Sequence, residues 1–290
     1  MSDDACAVGF IGLGNIGRPM AQRLVEWPGG LWVHDVVEAT TRPFGDAGAH
    51  VAADVADVAS RCGVISVMVR DDAQVHDVIV GDGGIAAHAA PGTIVAIHST
   101  IAPDTAGGLA AAVAASGIEI VDAPVSGGAM GAAGGNLAAM VGGSHDAVQR
   151  CRPVFGHWAS LVAHMGPVGA GTRAKLARNL LHFVSFAAVG EAMRLAEAGG
   201  VDLVALGEVV RHSDAVTGGP GAIMLRDTTA AIPPGDGLRP IFEHTRTLGE
   251  KDLRHALALG AGLGVELPLA ELAVGQVAAA LGVPHDEEYS

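Results

Sequence analysis

Cations are scarce in this chain of 290 residues: 17 Lys and Arg stand against 31 Asp and Glu, for a formal net charge of −14. Neutralising a run of phosphates takes clustered Lys and Arg, so the composition argues against nucleic acid as a partner. Cysteine is also sparse. Cys6, Cys62 and Cys151 lie far apart without paired spacing, which indicates neither a disulfide framework nor a zinc site. No HExxH, CxxC or cluster of acids occurs and the 13 histidines are scattered, so no metal is expected. No apolar run reaches the ~18 residues of a membrane span, and the opening "MSDDACAVG" carries acids where a signal peptide would carry positive charge. The expectation is a soluble cytoplasmic protein. Hydrophobic residues at 50% make it globular, with length for one large or two ordinary domains.

What the chain does contain is a regular alternation. From Ala5 to about Met165, short runs rich in Val and Ile ("CAVGFIG", "LWVHD", "GVISVMV", "TIVAIHS", "IEIVDAP", "LAAMVGG", "SLVAHMG") alternate with Ala-rich helical stretches. This predicts βαβ units around a mainly parallel sheet, and strands that are apolar throughout are covered on both faces. After "MGPVGAGT" the strand signal stops. Arg173 to Gly199 reads as one long helix, and the rest is helical, broken at "VTGGPG" and "AIPPGDG" before another helix begins near Pro240. The expected fold is an α/β domain over residues 1–165 and an all-α domain over 166–290, linked by the long helix.

Gly12, Gly14 and Gly17 form GxGxxG directly after an apolar strand, with Asn15 and Ile16 inside the motif and a helix opening near Ile16. The glycines allow a tight turn and close approach of a pyrophosphate, whose charge sits on the free amides of the helix. The next strand ends in Asp35, where a carboxylate can accept hydrogen bonds from ribose hydroxyls. A carboxylate there repels the extra phosphate of NADP, so NAD is expected over NADP. Arg18 and Arg42 are the side chains that would serve a 2′-phosphate if they are not simply solvated surface charges.

A second glycine-rich loop follows the strand "EIVDAP". Ser126, Gly127 and Gly128 offer a hydroxyl and unhindered amides at the carboxyl end of the sheet, which suits an anion; the alternative is a plain glycine-rich crossover. On the long helix, Lys175 and Asn179 stand four residues apart and share a face, flanked by Leu176, Leu180 and Phe183. An amine among apolar groups loses solvation, and its pKa falls toward the range where it accepts a proton from an alcohol. The alternative for Lys175 is a solvated charge.

These blocks occur together and in order. With "GFIGLGNIGRPMA", "VMVRDDAQV", "HSTIAPDT", "DAPVSGGAMGAAGGNLAAMVGG", "GAGTRAKLARNLL" and "KDLRHAL", the sequence resembles the β-hydroxyacid dehydrogenase family from Gly9 to Leu257, a family that includes 3-hydroxyisobutyrate dehydrogenase and tartronate semialdehyde reductase. The resemblance implies a Rossmann-type domain joined by a long helix to an all-helical domain, an active site in the cleft between them, and a homo-oligomer, either dimer or tetramer. It implies that Ser126, Gly127 and Gly128 bind the substrate carboxylate, that Lys175 is the catalytic lysine and that Asn179 orients substrate. It further implies that Ser99 and Thr100 lie beside the cofactor, that Met68 and Val69 line its adenosine side, that Lys251 approaches the nicotinamide or its ribose, and that Phe242 packs nearby. The implied substrate is a small carboxylate-bearing hydroxy acid or the corresponding semialdehyde.

Two positions depart from the family pattern. Arg70 stands where an apolar residue or proline is usual, and Asn136 replaces a threonine. His182, Arg211 and His212 are further candidates for the substrate pocket. Imine reductases share the architecture but replace the catalytic lysine, and the decarboxylating 6-phosphogluconate dehydrogenases have a much longer helical region. A non-catalytic nucleotide-binding protein on the same fold is the alternative from a different class.

Overall fold

The structure, a computed structural model, describes residues 6–219 and 230–285. Nine strands occur among them: β1 Val8–Ile11, β2 Leu31–His34, β3 His50–Val51, β4 Val64–Val67, β5 Ile94–Ile97, β6 Glu119–Asp122, β7 Val125–Ser126, β8 Leu137–Gly142 and β9 Ala159–Gly166. The helices are α1 Gly17–Gln22, α2 Glu38–Asp46, α3 Val55–Ala59, α4 Asp72–Val80, α5 Ile85–His88, α6 Thr105–Val113, α7 Gly128–Gly134, α8 His145–Phe155, α9 Ala170–Ala198, α10 Leu203–Thr217, α11 Arg239–Leu263 and α12 Pro268–Leu281.

The strands form one sheet in the order β3-β2-β1-β4-β5-β6-β8-β7, with β9 beside β8. The run from β3 to β6 is parallel, in register Val8↔Leu31, Val8↔Val64, Val64↔Ile94 and Ile94↔Glu119. β8 is antiparallel to β6 and β7, and β9 is parallel to β8. Strands β1, β4 and β5 are buried at every position, as their unbroken apolar sequence requires, because helices cover both faces. One core, around Phe10, Leu13, Met20, Phe155 and Trp158, lies on one face; a second, around Ile65, Val67, Ile79 and Ile97, lies on the other. The expected mainly parallel α/β domain followed by helices is what the chain forms.

By compactness the chain divides into Met1–Leu180 and Leu181–Ser290. The division falls inside α9, beyond Gly166. In the second unit, Ile232, Phe242 and Val283 form a small core with Leu281, and Glu191 Oε1 accepts the Leu269 amide near the start of α12.

A buried histidine joins three strands of the first unit. His98 Nδ1 donates to the Ala123 carbonyl at 2.9 Å, which leaves Nε2 to accept from the Ser66 hydroxyl at 3.0 Å. Burial pushes its pKa from 6.5 down to about 4, partly opposed by the bond to Ala123. The folded protein therefore stays unprotonated where the unfolded chain takes up a proton. Stability falls as pH drops from about 6.5 to about 4, by roughly 3 kcal/mol in total, and this contribution is constant above pH 6.5. Denaturant unfolding of the wild type and His98→Asn across that range is the check. The variant should lose this part of the slope, and parallel curves would refute the assignment.

Candidate functional site

The sheet order reverses between β1 and β4, and open parallel sheets bind ligands at the carboxyl ends of their strands at such a point. A cleft of about 600 Å³ lies there. Its lining includes Gly12 and Gly14 after β1, Asp35 and Val36 after β2, and Met68, Val69 and Arg70 after β4. Each glycine of the motif has its own reason. Gly12 has φ +95°, and a Cβ on it would collide with the Met68 carbonyl. A Cβ on Gly17 would collide with the Gly12 carbonyl, so the first turn of α1 packs onto the loop only without a side chain. Gly14 has open space around it, leaving its bare backbone facing the cleft. Asn15 is exposed, and Ile16 is half-buried against the core.

Asp35 closes the loop as well as facing the cleft. One carboxylate oxygen accepts the Leu13 amide at 2.6 Å and the other the Val37 amide at 2.8 Å. Each oxygen keeps a lone pair for a ribose hydroxyl. Arg42 is paired with Glu38 at 3.1 Å, and Arg70 with Asp71 at 3.0 Å. Ser99 is only 3% exposed, and its hydroxyl donates to the Val69 carbonyl at 2.6 Å and accepts the Val69 amide at 3.1 Å. It fixes the Met68–Val69 wall from behind. Thr100, the next residue, is exposed.

The second glycine loop and the lysine come together in the same unit. Lys175 Nζ donates to the Val125 carbonyl at 2.7 Å, directly before Ser126. Gly127 and Gly128 have φ +133° and +65°, so the turn into α7 needs residues free of Cβ strain, and a Cβ on Gly127 would also press on Leu137. Burial, then the Arg178 charge, lowers the Lys175 pKa below its usual 10.5. Asn179 Oδ1 accepts from Arg178 Nη1 at 3.2 Å.

The sequence reading missed the residue that sets this arrangement. Asp122, fully buried at the end of β6, accepts the Gly169 amide on one oxygen and the Thr172 amide on the other, both at 2.6 Å. It thereby caps α9 from the sheet. Also missed were the cleft-lining Asp54, Gln74, Asp77, Val78 and Asp82. The only signal for three of these was that Gln74, Asp77 and Val78 share one face of a helix opening from the β4 loop.

The residues expected from the helical unit are less accessible. Phe242 is 5% exposed and packed with Ile232 and Val283, so its ring belongs to that unit's core. Lys251 lies within α11, and its side chain is outside the described residues. Leu180 and Phe183 have side chains outside them too, whereas His182, Arg211 and His212 are exposed. Among the described residues no helix is long and apolar enough to cross a membrane.

The family described as the NAD binding domain of 6-phosphogluconate dehydrogenase matches residues 7–166, and that described as NAD-binding of NADP-dependent 3-hydroxyisobutyrate dehydrogenase matches residues 169–288. Fold, glycine loop and these matches define a pyridine-nucleotide-dependent oxidoreductase. Over 280 residues the chain is 61% identical to an uncharacterized oxidoreductase of Mycobacterium tuberculosis, covering 97% of this chain and 95% of that one. It is 39% identical over 206 residues to an NAD-dependent L-serine dehydrogenase of Pseudomonas aeruginosa, covering 71% and 69%. Among solved structures, Mycobacterium tuberculosis 3-hydroxyisobutyrate dehydrogenase with L-serine superposes with a TM-score of 0.67 at 29% identity, covering 97% of this chain and 96% of that one. The chain belongs to the β-hydroxyacid dehydrogenase family.

Proposed function

We propose that this chain is an NAD-preferring dehydrogenase that oxidises the 3-hydroxyl of a short β-hydroxy acid to a semialdehyde, and reduces it in reverse, with Lys175 as general acid and base. One observation carries the reading. The Lys175 amine is hydrogen-bonded to the carbonyl preceding Ser126, so a proton acceptor adjoins the loop suited to a carboxylate.

Ser126 and the amides of Gly127 and Gly128 hold the substrate carboxylate, and Asn179, one turn beyond Lys175, orients the hydroxyl. Lys175 removes the hydroxyl proton; a nicotinamide dinucleotide, held by the Gly12–Gly17 loop and Asp35, would supply the acceptor for the hydride leaving the same carbon. The Val125 carbonyl accepts from the lysine and restrains where its lone pair points. In reverse Lys175 returns the proton to the alcohol. Half-burial and Arg178 favour the neutral amine that the oxidation needs.

The cleft also speaks to the dinucleotide. Its loop fits a pyrophosphate, and Asp35, Asp54, Asp77 and Asp82 line it while Arg70 is engaged by Asp71. A 2′-phosphate would enter among carboxylates. The ratio kcat/KM is expected to favour NAD over NADP by about tenfold or more. A preference for NADP would refute the role given to Asp35.

A panel of 3-hydroxyisobutyrate, 3-hydroxypropionate, L-serine, glycerate and 4-hydroxybutyrate with purified protein tests the substrate class. Turnover of at least one 3-hydroxy acid is expected, and NAD reduction also excludes the non-catalytic alternative. Reaction with no 3-hydroxy acid would end the substrate assignment.

A further inference from the structure

Helix α7, into which the Ser126–Gly128 loop runs, has few side chains to hold it in place. Its sequence GAMGAAG is glycine and alanine apart from Met130, which is 89% exposed, and only Ala132 is buried, in a core shared with Met20 and Ala21 of α1. A second hold comes from the end of α1. Arg23 Nη1 donates to the Ala133 carbonyl at 3.1 Å and Arg23 Nε donates to the His157 carbonyl, while His157 Nδ1 donates back to the Arg23 carbonyl at 3.2 Å. The last turn of α7 is built to accept this bond. The Asn136 and Gly135 amides take the Gly131 and Ala132 carbonyls, and the Ala133 carbonyl is the next in the row. Gly135, at φ +70°, also leaves room for the guanidinium, since a Cβ on it would stand 2.9 Å from Arg23 Nε. One planar fork therefore ties the ends of α1 and α7 to the turn before β9.

We propose that Arg23 is a positioning residue for the substrate: by clamping the far end of α7 it fixes where Ser126, Gly127 and Gly128 present their donors. The inference rests on the reading of that loop as the carboxylate site and adds the group that holds it there. A helix of 7 residues is a rod about 10 Å long, so a shift at Ala133 is carried to Gly128 at its other end. The same clamp sets the distance between this loop and α1, whose first turn follows the dinucleotide loop. Arg23 itself does not line the dinucleotide cleft, and α1 stays seated through Met20, Ala21 and Leu24 without it. Loss of the guanidinium should then weaken the acid and spare the dinucleotide.

The test is calorimetric binding of 3-hydroxyisobutyrate and of L-serine to the full chain loaded with NADH, where no hydride acceptor is present, alongside the affinity for NADH. Arg23→Ala is expected to weaken acid binding about tenfold and to leave NADH affinity within about twofold. Arg23→Lys reaches one carbonyl but does not span both, so it should recover part of the loss. Arg23 is exposed and its carbonyl partners can turn to water, so the melting temperature should fall by about 5 °C or less. A purely structural role would lower the fraction of chain that binds and leave the affinity of the remainder unchanged. Unaltered acid affinity in Arg23→Ala, or acid and NADH affinities that fall by the same factor, would overturn the assignment while leaving the carboxylate loop standing. A wild type that binds NADH but neither acid would remove the reading of the loop and this inference with it.

Discussion

Lys175→Ala is expected to lower kcat by about 10²–10⁴, the range that a positioned acid or base contributes, and to leave NAD affinity unchanged. The side chain approaches the Val125 carbonyl and is not part of the dinucleotide cleft, so binding and turnover should separate. Lys175→Arg sharpens the test. Arginine keeps length and charge but does not deprotonate, so it should be as inactive as alanine if proton transfer is the lysine's part, and partly active if the lysine only holds substrate. In the wild type, oxidation should speed up with pH as the amine loses its proton, along a limb centred below 10.5 because burial and Arg178 disfavour the charged form. Retention of more than about a tenth of wild-type kcat in Lys175→Ala would be too small a loss for this role.

The parts of the molecule legible in the sequence are those whose cause is local. β1, β4 and β5 are buried on both faces, which forces an unbroken apolar run that can be read without knowing the neighbours. The glycine motif is read equally well because its turn, its helix and the strand before it are consecutive. Two-residue strands such as β3 and β7 have no period to detect. The sequence reads as helix from Arg173, whereas α9 begins at Ala170, since glycines such as those of "GAGT" carry little helix signal. Those glycines instead let the helix approach: a Cβ on Gly171 would collide with the Met140 carbonyl. Ser99 illustrates a contact that the sequence does not show. Its hydroxyl bonds both backbone groups of the cleft-lining Val69, 30 residues upstream. Asp122 was silent for the same reason, since its partners lie 47 and 50 residues downstream.

Asp122→Ala is expected to damage both stability and catalysis. It removes two short hydrogen bonds from a fully buried carboxylate and leaves the Gly169 and Thr172 amides without those acceptors at the positive end of a helix of 29 residues. A loss of about 3 kcal/mol or more follows, which lowers the melting temperature on the order of 10 °C. Lys175 lies about one turn beyond Thr172, so a helix released at this end no longer holds the amine against Val125. Asp122→Asn keeps the shape and one acceptor but turns an NH₂ toward a backbone N–H, and should fall between alanine and wild type. The pattern across variants decides the matter: Lys175→Ala should lose activity with its melting temperature nearly unchanged, while Asp122→Ala should lose both together. An Asp122→Ala protein that melts within about 2 °C of wild type and turns over at the wild-type rate would show that α9 is held by something other than this carboxylate.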